Sequence, residues 1–176
     1  MQKPKVELKN LKTFRGMEGI GINVDVWING VKCLLAMDAG DGGEMEFEQN
    51  YDHKNQRLVK ENIKLLDDYI DSLPEIKYNL IGKESKMKVG LETFINDLLL
   101  EQEEKKEKKR LVKMFENTIV VGKPNCGSYT LFKQKQPLSK FPTALIQSLV
   151  DMVKVKYCVN GKQILNTNLE SIGIKI

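Results

Sequence analysis

An α+β fold is predicted, because strand-type and helix-type periodicity fall in separate blocks of the chain rather than in regular alternation. An N-terminal block alternates apolar and polar residues around an Asn-Gly pair, a middle block repeats apolar residues every three or four positions, and the final third mixes both patterns. Helices that do not interleave with single strands disfavour a doubly wound parallel sheet. With 176 residues, 41% hydrophobic and 30% charged, the chain suits a single compact domain. Its expected parts are an antiparallel β-meander over 5–49, a helical middle over 55–116, and a C-terminal block over 117–176 with hairpin, helix and a last hairpin or strand.

The first strand is short, in "KVELKNL". A hairpin follows in "IGINVDVWINGVKCLLAMD", where Ile20, Ile22, Val24, Val26 and Ile28 alternate with Gly21, Asn23, Asp25 and Trp27. Asn29-Gly30 suits a two-residue type I′ turn, since both residues tolerate positive φ. That turn predicts the pairs Ile28–Val31, Val26–Cys33, Val24–Leu35 and Ile22–Met37 on one face, with Trp27 opposite Lys32 as a cation-π pair. Met45 and Phe47 then alternate with Glu44, Glu46 and Glu48 in an edge strand whose outer face is acidic, a pattern that discourages edge-to-edge association.

Leu58, Ile63, Leu66, Ile70 and Leu73 form the stripe of a first helix before Pro74, and "IKYNLIGKESKMKVG" reads as a loop or short irregular strand. Leu91, Phe94, Ile95, Leu98 and Leu99 open a second helix. It continues through "EQEEKKEKKR", where Glu101/Lys105 and Glu104/Lys108 are acid-before-base pairs four apart, to Leu111, Val112 and Phe115, about 25 residues in all. "NTIVVG" and "SYTLFK" form a hairpin across "KPNCG". Leu145, Leu149, Met152 and Val153 mark a third helix with Ser139 or Thr143 as caps, and a second Asn-Gly turn at Asn160-Gly161 and the tail "LESIGIKI" add a final hairpin or strand.

Composition narrows the function classes. A single histidine, His53, excludes a site that needs two imidazoles from one chain, and three cysteines without CxxC spacing argue against a structural zinc site. No apolar run reaches membrane-spanning length, and "MQKPKVELKN" has no apolar h-region, so a cytoplasmic protein without membrane contact is expected. The net charge of +4 is uneven: residues 1–50 carry 6 basic and 8 acidic side chains, and residues 117–176 carry 8 and 2.

Three candidate surfaces follow. "DAGDGGE" leads into a strand rather than a helix and is rich in carboxylates, which excludes a phosphate loop; Asp38, Asp41 and Glu44 instead offer hard oxygen ligands for a cation, or turn the chain. Lys123, Tyr129, Phe132, Lys133, Lys135 and Lys140 combine lysines with strand aromatics, as in a nucleic-acid surface, although Tyr129 and Phe132 have opposite strand parity. The edge glutamates Glu44, Glu46 and Glu48, and the helical run Lys105, Lys106, Lys108, Lys109 and Arg110, are the expected contacts for a protein partner.

At "TFRGMEGIGINVDVWINGVKCLLAMDAGDGGEMEF" the chain resembles a group of small proteins encoded by phages and related mobile elements, with Glu18, Asn29-Gly30 and the glycines 40, 42 and 43 at the matching positions. The group pattern often places histidine before the paired glycines, where this chain has Asp41. The resemblance implies a mobile-element origin; together with the lack of a catalytic constellation and with solvent-facing charge of both signs, it leads to the expectation of a non-enzymatic accessory protein without a cofactor that binds a host partner stoichiometrically, such as an inhibitor of a defence nuclease complex. Nucleic-acid binding through the basic C-terminal third, and metal-dependent hydrolysis by the 38–44 carboxylates, are the alternatives.

Overall fold

Asn29 and Gly30 turn the chain with φ of 50° and 82°, joining β2 (Ile20–Ile28) to β3 (Val31–Asp38) as the dipeptide predicts. The computed structural model describes residues 3–80, 83–124 and 126–175. With β1 (Val6–Arg15) and β4 (Glu46–Gln49), these strands form an antiparallel meander in the order β1-β2-β3-β4. β4 is an edge strand, and Glu46 and Glu48 are exposed on it as expected.

The register departs from the prediction after one turn of the ladder. Ile28 faces Val31 and Trp27 faces Lys32, but Cys33 is then left over as a bulge, so Val26 pairs with Leu34, Val24 with Ala36 and Ile22 with Asp38. The extra residue brings buried Leu34 and Ala36 onto the face of Val24 and Val26, and it leaves Leu35 and Met37 half-buried on the other side. A second bulge in β1, at Asn10 and Leu11, places Asn10 at φ 55°. The expected Trp27–Lys32 contact is replaced: Lys9 lies 4.1 Å from the Trp27 ring centroid, and Lys32 bonds Asp25 at 2.7 Å.

Two helices follow. α1 (Gln56–Asp71) buries Val59, Asn62, Leu66 and Ile70, whereas Leu58 of the predicted stripe is exposed. Asn62 serves the hairpin: its Nδ2 donates to the Ile28 carbonyl at 3.2 Å, and its Oδ1 accepts from Asn29 Nδ2 at 3.0 Å. α2 runs from Leu91 to Phe115, 25 residues, matching the predicted length. Between them the stretch read as a loop or short irregular strand forms β5 (Ile76–Leu80) paired with β6 (Lys83–Met87); residues 81 and 82 lie outside the described residues. "IKYNL" alternates as a strand does, but its partner "KESKM" has no apolar alternation, so the second strand is defined by pairing.

The chain divides into two compact units, residues 1–102 and 103–176, where the sequence reading grouped it as one. The first unit packs the inner face of the meander, Leu8, Val24, Val26, Leu34 and Ala36, against Val59 and Leu66 of α1 and Phe94 and Ile95 of α2. Each such side chain contributes about 1.5–3 kcal/mol on burial.

The second unit is a three-stranded antiparallel sheet in the order β8-β7-β9, with β7 (Thr118–Gly122) buried throughout, β8 (Tyr129–Lys133) beside it and β9 (Gln163–Ile164) reduced to two residues. Asn125, in the turn between β7 and β8, lies outside the described residues. Where β9 stops, Asn166 substitutes for a strand: its Oδ1 accepts the Val120 N–H at 2.7 Å and its Nδ2 donates to the Thr118 carbonyl at 2.8 Å. α3 (Thr143–Tyr157) covers this core through Ile146, Val150 and Val153, not through the predicted Leu145 and Met152, which are exposed. Pro142 rather than Ser139 or Thr143 occupies the N-cap, and the tail folds as a 3-10 turn at Glu170–Ile172, not as a strand.

Candidate functional site

The first unit carries its most unusual surface where the β1–β2 connection, "GMEG" at 16–19, meets the glycine loop after β3. Gly40 is the pivot. Its φ of 67° is left-handed, and its carbonyl accepts two N–H bonds from the other loop, from Glu18 at 2.8 Å and Gly19 at 2.9 Å. A Cβ on Gly40 would stand 2.6 Å from the Gly21 nitrogen, and one on Gly16 would stand 2.5 Å from the Ala39 carbonyl oxygen. Two backbones approach this closely only because both positions lack a side chain.

Two carboxylates fix the glycine loop from within. Asp38 Oδ1 accepts the Gly40 N–H at 2.7 Å, and Asp41 Oδ1 accepts the Gly43 N–H at 3.0 Å, each an Asx turn. Among the described residues no three His, Cys, Asp or Glu side chains gather as a metal-holding group, so Asp38, Asp41 and Glu44 do not form the cation cage considered from sequence. Turn formation is the role seen for the two aspartates.

This frame holds large apolar side chains out in water. Phe14 is 44% exposed, Met17 92% and Ile20 69%, all at or beside the interlocked loops. Phe14 also lines a groove of about 710 Å³. Its floor includes Met37, which is paired across the sheet with Asn23 on one side and Glu46 on the other, and its lining includes Phe14, Asp38, Asp41 and Glu44. No lysine or arginine is among the lining residues.

Further along the same sheet face, Asp25 is nearly buried and bonded to both Lys32 Nζ at 2.7 Å and Asn10 Nδ2 at 2.8 Å. Burial alone would raise its carboxyl, but the Lys32 hydrogen bond, then that of Asn10, together with the lysine charges, hold it below the ordinary carboxylate value.

The other predicted residues are more dispersed. Glu44, Glu46 and Glu48 are exposed in the first unit, while Lys105, Lys106, Lys108, Lys109 and Arg110 are exposed on the part of α2 assigned to the second. Within that helix Lys108 lies 3.9 Å from Glu104 and Arg110 lies 3.5 Å from Glu107, so part of the charge is answered locally. The aromatic pair is split by strand parity: Phe132 packs toward the second core, with its ring 4.8 Å from that of Tyr157, while Tyr129 and Lys133 occupy the opposite face of β8. Lys123, Lys135 and Lys140 are exposed outside the strands.

The exposed trio at 14, 17 and 20 was missed by sequence reasoning, although a signal was present. Met17 between Gly16 and Gly19 is a large apolar residue in a turn, where small polar residues are the rule. Compared with known proteins, the chain matches no family model, no curated protein and no solved structure.

Proposed function

We propose that this is a non-enzymatic accessory protein that acts by stoichiometric binding to a macromolecular partner, with the tip of the first unit as its contact surface. The observation that carries this reading is the exposure of Phe14, Met17 and Ile20 on a frame locked by the Gly40 carbonyl and by glycine-to-backbone packing. A flexible loop would be free to turn such side chains inward. A rigid one holds them ready, which lowers the ordering cost of association. Aromatic and methionine side chains are enriched in interface centres, and Glu44 and Glu46 line the groove with Phe14.

In this reading, which follows the resemblance to mobile-element proteins, the partner is a host protein and the outcome is its inhibition, a defence nuclease complex being one such target. The test is affinity capture from host lysate followed by size-exclusion chromatography. Wild-type protein should retain one host protein in a complex of fixed stoichiometry, and Met17→Ser/Ile20→Ser should lose it while melting at the wild-type temperature. Equal capture by the variant, or no retained protein in gentle salt, would sink the reading.

A second reading has its own observation. Residues 103–176 carry 14 basic and 6 acidic side chains, a net of +8, against 14 and 18, a net of −4, for residues 1–102. Such a basic unit supports nucleic-acid binding, whose affinity would fall steeply with salt.

A further inference from the structure

Resting on the partner-binding reading above, the geometry points to the chemistry of what docks there: we propose that the groove beside the tip receives a lysine or arginine side chain from a basic, amphipathic peptide segment of a protein partner. The groove has the size for it. A volume of about 710 Å³ exceeds what one long side chain fills and accommodates a short stretch of peptide.

Its lining combines two features that such a segment needs at once. Phe14 and Met37 provide apolar surface along which the methylene stem of a lysine or arginine lies. Asp38, Asp41, Glu44 and Glu46 surround that surface with carboxylates, and no basic side chain of the groove competes for them. An apolar residue of the same segment would meet Phe14, which lines the groove and is 44% exposed.

Charge complementarity selects this occupant over others. A nucleic acid or an anionic lipid surface would be repelled by the four carboxylates, and a purely apolar segment would leave them without counter-charge in a narrowed space. Asp38 and Asp41 spend one oxygen each on their own loop, Oδ1 in both cases, and the other oxygen of each remains outside those turns.

Fluorescence anisotropy on the full chain tests the proposal with three labelled hexapeptides: Leu and Lys/Arg alternating, the same with Glu, and the same with Ser. The basic peptide should bind, weaken with added salt, and bind about tenfold more weakly to Asp41→Asn/Glu44→Gln/Glu46→Gln, since three exposed charge pairs are lost. Asn at 41 keeps the oxygen that accepts the Gly43 N–H, so the loop retains its turn. Equal binding of the acidic or neutral peptide, unchanged affinity in the triple variant, or no binding of any peptide overturns the groove assignment. The two readings separate in the Met17→Ser/Ile20→Ser variant: loss of host-protein capture there together with failure of the basic peptide leaves the partner-binding reading standing and removes only the groove.

Discussion

The two Asn-Gly turns have nearly the same backbone, φ of 50° and 82° at Asn29-Gly30 and 55° and 78° at Asn160-Gly161, yet they do different things. The first joins two strands paired along most of their length. The second follows the end of α3 at Tyr157 and leads into a two-residue strand that pairs with β7, not with the chain before the turn. A turn sequence therefore sets a local conformation, and whether the residues flanking these two turns pair across them depends on the sheet and core they have to join. At the first turn α1 supplies that support through Asn62, which holds both Asn29 and the Ile28 carbonyl.

The sharpest way to break this contrast is at the far end of the first hairpin. Gly40→Ala is expected to destabilise by about 3–4 kcal/mol in urea unfolding, because it adds left-handed strain and a clash with Gly21. Gly161→Ala meets nothing closer than Lys123 Cε at 3.8 Å and should cost only about 1–2 kcal/mol, the backbone strain alone. Equal costs would show that the interlocked loops are no more constrained than a free turn.

Asn29→Ala against Asn160→Ala is the next comparison. Asn29 Oδ1 accepts the Lys5 N–H at 3.1 Å and its Nδ2 donates to Asn62, so its loss should cost about 2–3 kcal/mol, against about 1 kcal/mol for Asn160. Chemical denaturation with matched m-values is the readout, and a smaller effect at Asn29 would remove α1 from the account of the turn.

The smallest effect concerns pH. Because the folded carboxyl of Asp25 lies below its ordinary value, its contribution is present above about pH 4 and is lost as pH falls through the folded value. Asp25→Asn should be somewhat less stable than wild type at neutral pH, and the difference should shrink on acidification below about pH 4. A difference that stays constant down to low pH would mean that Lys32 and Asn10 do not hold the charged form.

Much of this architecture was legible in the sequence because it depends on neighbours close along the chain. The length of α2 follows from its unbroken run without proline or glycine after Gly90, and the exposed glutamates of β4 follow from strict alternation. The candidate site was legible only in part. Asp38, Asp41 and Glu44 were legible as a set of hard ligands and Glu44, Glu46 and Glu48 as an acidic edge, but Phe14, which lines the same groove, lies some twenty residues earlier, and the contact between the two glycine loops is one that periodicity does not encode.

The sequence by itself determined the meander, the three helices and the β7–β8 hairpin, since period, turn chemistry and charge spacing are local, whereas the β5–β6 hairpin and the 3-10 turn of the tail were not declared by it. Tertiary structure decided between local alternatives of similar merit. The bulge at Cys33 put Leu34 and Ala36 rather than Leu35 and Met37 on the core face, a choice between two apolar sets that alternation alone leaves open, and α3 buried Ile146, Val150 and Val153 over the neighbouring Leu145 and Met152 because only one of two adjacent apolar stripes can face β7. Exposure of Phe14, Met17 and Ile20 goes with the close backbone packing of the two glycine loops, a contact between segments some twenty residues apart that only the tertiary structure makes.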